Sequence, residues 1–150
     1  MPSAIERIDS EIKASMFAKD AIKLGTLRMF KSALRYYQIE KKLDTLSDKD
    51  VITIAQKQIK QRQDSIESFR NGGREDLLQK EEAEMAILKT YLPQELSNEE
   101  LEALIKTVIA EVWATTRAQI GLVMKTAIAR AAGRADGKSI NAIALKLLPP

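Results

Sequence analysis

Nine residues, Gly133-Arg134-Ala135-Asp136-Gly137-Lys138-Ser139-Ile140-Asn141, gather two glycines, two cations and an acid into the space of one turn. Gly133 suits the position just past a helix C-terminus, and Asp136 suits the cap of the next helix. Arg134 and Lys138 then flank that helix's first N–H groups, where an anion is favoured. Two readings stand at this level. Either a phosphate docks between the cations, or the segment is a well-built αα-turn in which the Asp136 carboxylate itself takes the anion position. A second group, Arg28, Lys31, Arg35 and Lys42, repeats at 3, 4 and 7 residues. That spacing puts four cations on one helix face, either to hold phosphates or to serve as the polar side of an amphipathic helix.

The densest carboxylates, Glu75, Asp76, Glu81, Glu82 and Glu84, raise the question of acid–base catalysis or a hard-metal site. Helix electrostatics gives a simpler account. Glu75 and Asp76 fall in a first turn, where negative charge offsets the macrodipole, and the others lie in a mid-helix run near Lys80 and Lys89. No Asp-x-Asp-x-Gly calcium loop and no Gly-rich nucleotide loop accompanies them. The chain has neither histidine nor cysteine, which excludes disulfides, imidazole or thiolate nucleophiles and the usual zinc sets. No enzymatic activity, no cofactor and no metal are therefore expected.

Composition supports a globular chain: 150 residues, 45% hydrophobic and 30% charged. The net charge of +3 conceals an uneven distribution, because residues 74–112 hold four Lys/Arg against ten Asp/Glu and residues 113–150 hold six against one. A basic tail behind an acidic middle steers a polyanion to one end, or simply forms a solvated helical surface. No run of about 20 apolar residues occurs, and the opening residues lack the basic-then-apolar order of a secretory leader. A cytoplasmic protein without a membrane partner is the expectation.

The elements that carry these residues are read as helices throughout. Leu27, Phe30, Leu34 and Tyr37 follow helical spacing, as do Leu101, Leu104, Ile105, Val108 and Val112, and then Ile120, Met124, Ala127, Ile128 and Ala131. Ser47 with Asp50 and Ser97 with Glu100 mark helix starts, while Asn71-Gly72-Gly73 and Gly133 mark ends. Helices are expected at about 3–18, 20–43, 48–70, 74–91, 98–112, 116–132 and 138–148. Ile52, Ile59 and Ile66 repeat as a seam with Arg62 in it, either of an antiparallel helical hairpin or of an oligomer contact; internal packing is the preferred reading, with the guanidinium reaching toward an acid. Pro93 divides the chain into an N-terminal helical domain of about four helices, residues 1–92, and a C-terminal three-helix bundle, residues 96–150.

Several blocks taken together carry a family resemblance: Leu27-Arg28-Met29-Phe30-Lys31-Ser32-Ala33-Leu34, Lys60-Gln61-Arg62-Gln63-Asp64-Ser65-Ile66, Gly73-Arg74-Glu75-Asp76-Leu77, Tyr91-Leu92-Pro93-Gln94-Glu95-Leu96-Ser97 and Gly133 to Lys138. In order and spacing the chain resembles the YqeY-like family from about residue 10 to 148. That family is similar to the C-terminal tail region of the tRNA-holding subunit of the tRNA-dependent amidotransferase, a helical tail that grips tRNA around its elbow while other domains do the catalysis. The resemblance implies a two-part helical fold, tRNA as partner, and a place beside an amidotransferase or other tRNA-processing complex. It assigns the RNA contacts to Lys125, Arg130, Arg134 and Lys138, with Gly133 and Gly137 shaping the turn.

Leu122, Ala129 and Ala132 replace a lysine, a proline and a cation frequent in the family, and Trp113 fills a turn that often holds glycine, so weak phosphate binding is expected. The alternative is a protein-interaction adaptor, motivated by the acidic 74–112 segment. A glutamine-dependent carbon–nitrogen ligase, inherited in name from the amidotransferase, is not expected of the isolated chain.

Overall fold

A computed structural model describes residues 3–150. They form seven α-helices and, among the described residues, no strand: α1 Ala4–Ala18, α2 Ala21–Glu40, α3 Asp48–Asn71, α4 Glu75–Lys89, α5 Asn98–Glu111, α6 Ile120–Ala131 and α7 Gly137–Leu147, with a short 3-10 turn at Arg117–Gln119 before α6. Two compact units result, the first ending at Leu92 and the second running from Pro93 to Pro150.

The first unit buries Leu27, Phe30 and Leu34 of α2 against Ile8 of α1, Val51, Ile54, Ala55 and Ile59 of α3, and Leu88 of α4. Each of these side chains other than Ala55 contributes about 1.5–3 kcal/mol of burial. α3 and α4 make the most extensive pairing. Ile59 and Ile66 are buried in its seam, whereas Ile52 is half-buried and Val51 takes the interior place one residue earlier. Capping boxes start α1 and α3, with Ser3 and Glu6, and Ser47 and Asp50, exchanging side-chain and backbone hydrogen bonds. The Ser47 N–H and hydroxyl both donate to the Asp50 carboxylate, at 2.9 and 2.8 Å, holding it below its ordinary range.

Tyr91, just beyond α4, closes this unit. Its ring meets Phe30 edge-on at 5.4 Å between centroids, and the Arg7 guanidinium lies 4.3 Å above it. The Tyr91 hydroxyl donates to Glu11 at 2.7 Å, and Arg7 donates to the Thr90 carbonyl at 2.7 Å. Burial and the Glu11 carboxylate together raise the Tyr91 hydroxyl well above the usual tyrosine range.

In the second unit Leu101, Ile105 and Val108 of α5 meet Val123, Ala127 and Ala131 of α6 and Ile140 and Ala144 of α7. Alanine at three of these places lets the helices approach closely, which matters in a unit with so small a core. Backbone clips fasten the connecting segments: the Leu96 N–H donates to the Arg134 carbonyl at 2.8 Å, and the Arg117 N–H to the Pro149 carbonyl at 2.9 Å.

Two boundaries depart from expectation: α6 begins at Ile120 rather than near 116, behind the 3-10 turn, and the early end of α2 moves a candidate residue. α2 stops at Glu40, so Lys42 does not share the face of Arg28, Lys31 and Arg35. The cause is local. Leu43 N–H returns to the Gln38 carbonyl, the Gln38 amide donates to the Leu43 and Asp44 carbonyls, and Lys42 is turned into the left-handed region at φ 54°.

Candidate nucleic-acid interface

The α6–α7 turn is built almost entirely from its own backbone. Ala132 at φ 49° and Gly133 at φ 87° reverse the chain, one residue before the expected glycine stop, and the Arg134 N–H closes onto the Ala131 carbonyl at 2.9 Å. Asp136 caps α7, accepting from the Ser139 N–H at 2.7 Å. Its carboxylate thus takes the place at the helix start that a phosphate would take, the second of the two readings offered by the residues. Gly137 opens α7 without a positive φ, and a Cβ there would meet only Ile128 Cδ1 at 4.0 Å. The turn therefore owes its shape to Ala132 and Gly133 rather than to Gly137.

The cations of the tail divide by type. Arg134 Nε donates to the Gln94 carbonyl at 2.9 Å, and the guanidinium lies 3.9 Å from Glu100, so this residue holds the segment leading into α5. Arg130 makes a two-pronged pair with Glu111 at the end of α5, one prong at 2.9 Å. The pair holds the Glu111 carboxyl low and raises Arg130 further. Arg117 donates to the Leu145 carbonyl through Nε and Nη2 at 3.0 and 2.7 Å, capping the end of α7.

Lys125, Lys138 and Lys146 are exposed and make no ion pair or side-chain hydrogen bond among the described residues. Lys138 and Lys146, both on α7, are separated by about 80° around its axis. The geometry brings Arg134, Asp136 and Lys138 into one turn. It turns Arg130 toward α5 and leaves Lys125 on another side of α6, five residues and about 140° away. Neither Lys146 nor the structural use of Arg117 is singled out by the sequence motifs. Exposure at the last turn of an amphipathic helix is the available signal for Lys146; nothing local marks Arg117.

In the first unit Lys31 is paired with Asp9 at 2.5 Å, while Arg28 and Arg35 are exposed. Lys31 and Arg35 line a groove of about 410 Å³ that also contains Asp9 and Asp44, a mixed lining unsuited to phosphate. The α4 acids are engaged by arginines: Glu81 and Glu84 by Arg62, Glu82 by Arg70 and Asp76 by Arg74.

Comparison with known proteins gives a family match, described as Yqey-like protein, over residues 5–148. Among relatives, the altered inheritance of mitochondria protein 41, mitochondrial, of Lachancea thermotolerans is 31% identical over 111 residues, covering 73% of this chain and 59% of its own length. The Saccharomyces cerevisiae protein of that name is 33% identical over 100 residues, with coverages of 67% and 54%. That of Vanderwaltozyma polyspora is 36% identical over 89 residues, with coverages of 59% and 48%. The chain spans about half the length of the curated relatives it matches. Their mitochondrial names overturn the cytoplasmic expectation. The composition of the opening residues has no bearing on import into an organelle, and the finding that no described helix is long and apolar enough to cross a membrane does not choose between compartments.

Proposed function

The chain belongs to the YqeY-like family, and from that premise we propose that it is a non-catalytic helical module that binds folded tRNA at the elbow through the phosphate backbone, beside an amidotransferase or another tRNA enzyme. In this reading the chain is two domains, residues 1–92 and 96–150, with RNA on the second.

The observation that carries the reading is the division among the tail cations, arginines engaged within the protein and lysines facing water. Lys125, Lys138 and Lys146 supply mobile point charges suited to phosphates and indifferent to base identity. Arg130 and Arg134 act differently from the family-based assignment: they hold the bundle that displays the lysines. About three phosphate contacts give modest affinity and a log–log salt slope of roughly −2 to −3.

The test compares binding of folded tRNA with a tRNA whose elbow has been disrupted by mutation, with mitochondrial and cytosolic tRNAs as separate arms. Preference for the folded elbow is expected. Equal binding of intact and disrupted molecules ends the elbow reading, and no binding near physiological salt favours the adaptor. Release of ammonia from glutamine by the purified chain alone would overturn the non-catalytic assignment.

A further inference from the structure

α2 has three faces. Leu27, Phe30 and Leu34 are buried, and Arg28, Lys31 and Arg35 form a cationic strip. A third line, Ile22, Gly25, Met29, Ser32, Tyr36 and Ile39, alternates spacings of 3 and 4. At 100° per residue it is centred roughly 150° from the buried line. Ile22 is 44% exposed, Met29 58%, and Tyr36 and Ile39 71% each. Single exposed apolar residues are ordinary, but a heptad line sustained from Ile22 to Ile39 is the pattern of a helix that pairs with another.

The line is complementary to itself. A second α2 laid antiparallel, with the two-fold axis passing between Phe30 and Lys31, sets Ile22 against Ile39 of the second copy, Gly25 against Tyr36, and Met29 against Ser32. Tyr36 and Met29 each face a small residue, as interlocking layers require, and nothing lies within 4 Å of the place a Gly25 Cβ would occupy. A parallel pairing would stack Tyr36 on Tyr36 and Gly25 on Gly25, alternating clash with void. We propose that this face of α2 is an isologous dimer interface, occupied by α2 of a second copy of the chain.

The exposed parts of the four large side chains come to roughly 500 Å² per copy, and the Arg28 and Arg35 stems extend this toward the ~800 Å² of a standard interface, consistent with a dimer in the micromolar range. The antiparallel pairing also brings Arg28 near Arg35 of the second copy, on both sides of the axis. Like charges oppose this association, so added salt strengthens it, the reverse of an interface held by ion pairs.

The full chain is tested by sedimentation from about 1 to about 200 µM, where the mass is expected to rise from 16.8 kDa toward twice that value. Met29→Glu and Tyr36→Glu each raise the dissociation constant at least ~100-fold while leaving the far-ultraviolet circular dichroism unchanged, because both side chains are exposed in the single chain. Register is read by thiol cross-linking, and the chain has no cysteine of its own. A mixture of Met29→Cys and Ser32→Cys chains forms disulfides between unlike chains faster than either variant does alone. A monomer across the whole range, association indifferent to Met29→Glu, or faster cross-linking between like chains overturns the proposal. The first of these would leave the face to a helix of another protein.

Discussion

Replacing Arg62 by methionine removes the cation on which two acids of α4 depend. Its Nη1 lies 2.9 Å from Glu84 and 3.3 Å from Glu81, and its side chain is 9% exposed. At an effective dielectric constant of ~20 each contact carries about 5 kcal/mol of Coulomb attraction, while desolvation costs several kcal/mol per ion. Nε and Nη2 also have no acceptor, which reduces the net value of the triad. Losing the cation alone leaves two carboxylates side by side on a mostly apolar seam. Arg62→Met is therefore expected to lower the unfolding free energy by about 3 kcal/mol, and Arg62→Met/Glu81→Gln/Glu84→Met to return within about 1 kcal/mol of the parent or exceed it. Urea titration followed by tyrosine near-ultraviolet circular dichroism isolates the relevant unit, because Tyr36, Tyr37 and Tyr91 all precede Leu92 and Trp113 is in the other unit. A loss below about 0.5 kcal/mol for the single variant, or a triple variant less stable than the single, would refute the reasoning.

Tyr91→Phe removes the hydroxyl bonded to Glu11 and is expected to cost about 1–2 kcal/mol by the same titration. Because the Tyr91 hydroxyl is raised in the folded state, its contribution is complete below the unfolded value of about 10 and fades as pH climbs above it; Tyr91→Phe flattens that alkaline loss. Burial pushes Glu11 up, but hydrogen bonds from Tyr91 and Arg7 more than offset it and hold the carboxyl low, so this contribution is present at neutral pH and lost as pH falls below about 4, which acid titration of Glu11→Gln checks. Trp113 is 83% exposed and left-handed at φ 59°, so Trp113→Gly is expected to stabilise the C-terminal unit by about 0.5–1 kcal/mol in hydrogen exchange. Asp136→Asn keeps the cap of α7 and removes a negative charge two residues from Lys138; tighter tRNA binding with a stability change within about 0.5 kcal/mol is the expected pair of results.

Helix positions are legible because apolar spacing and capping residues are local signals: Ser47 with Asp50, Ser97 with Glu100, and the glycine-marked stops all act within a few residues. The end of α2 is not, because Gln38 draws back the chain around Lys42 through its amide, which no propensity of Lys41 or Lys42 announces. The candidate site is legible as a turn but not as an electrostatic surface. Arg130 meets Glu111 across 19 residues and Arg134 meets Gln94 across 40, partners that charge counting does not see. The outer line of α2 escapes notice for a related reason, since one buried stripe and one cationic strip already account for an amphipathic helix.

The central claim, proposed above, is that the exposed lysines rather than Arg130 and Arg134 hold RNA. Its most direct measurement is the affinity for folded tRNA at two salt concentrations, with duplex DNA as competitor, for the parent chain and for Lys125→Glu/Lys138→Glu/Lys146→Glu. The parent is expected to bind in the presence of duplex DNA with a log–log slope of roughly −2 to −3, and the triple variant to lose binding while keeping its helical content. Undiminished binding by the triple variant, or displacement by DNA as readily as by tRNA, would contradict the claim.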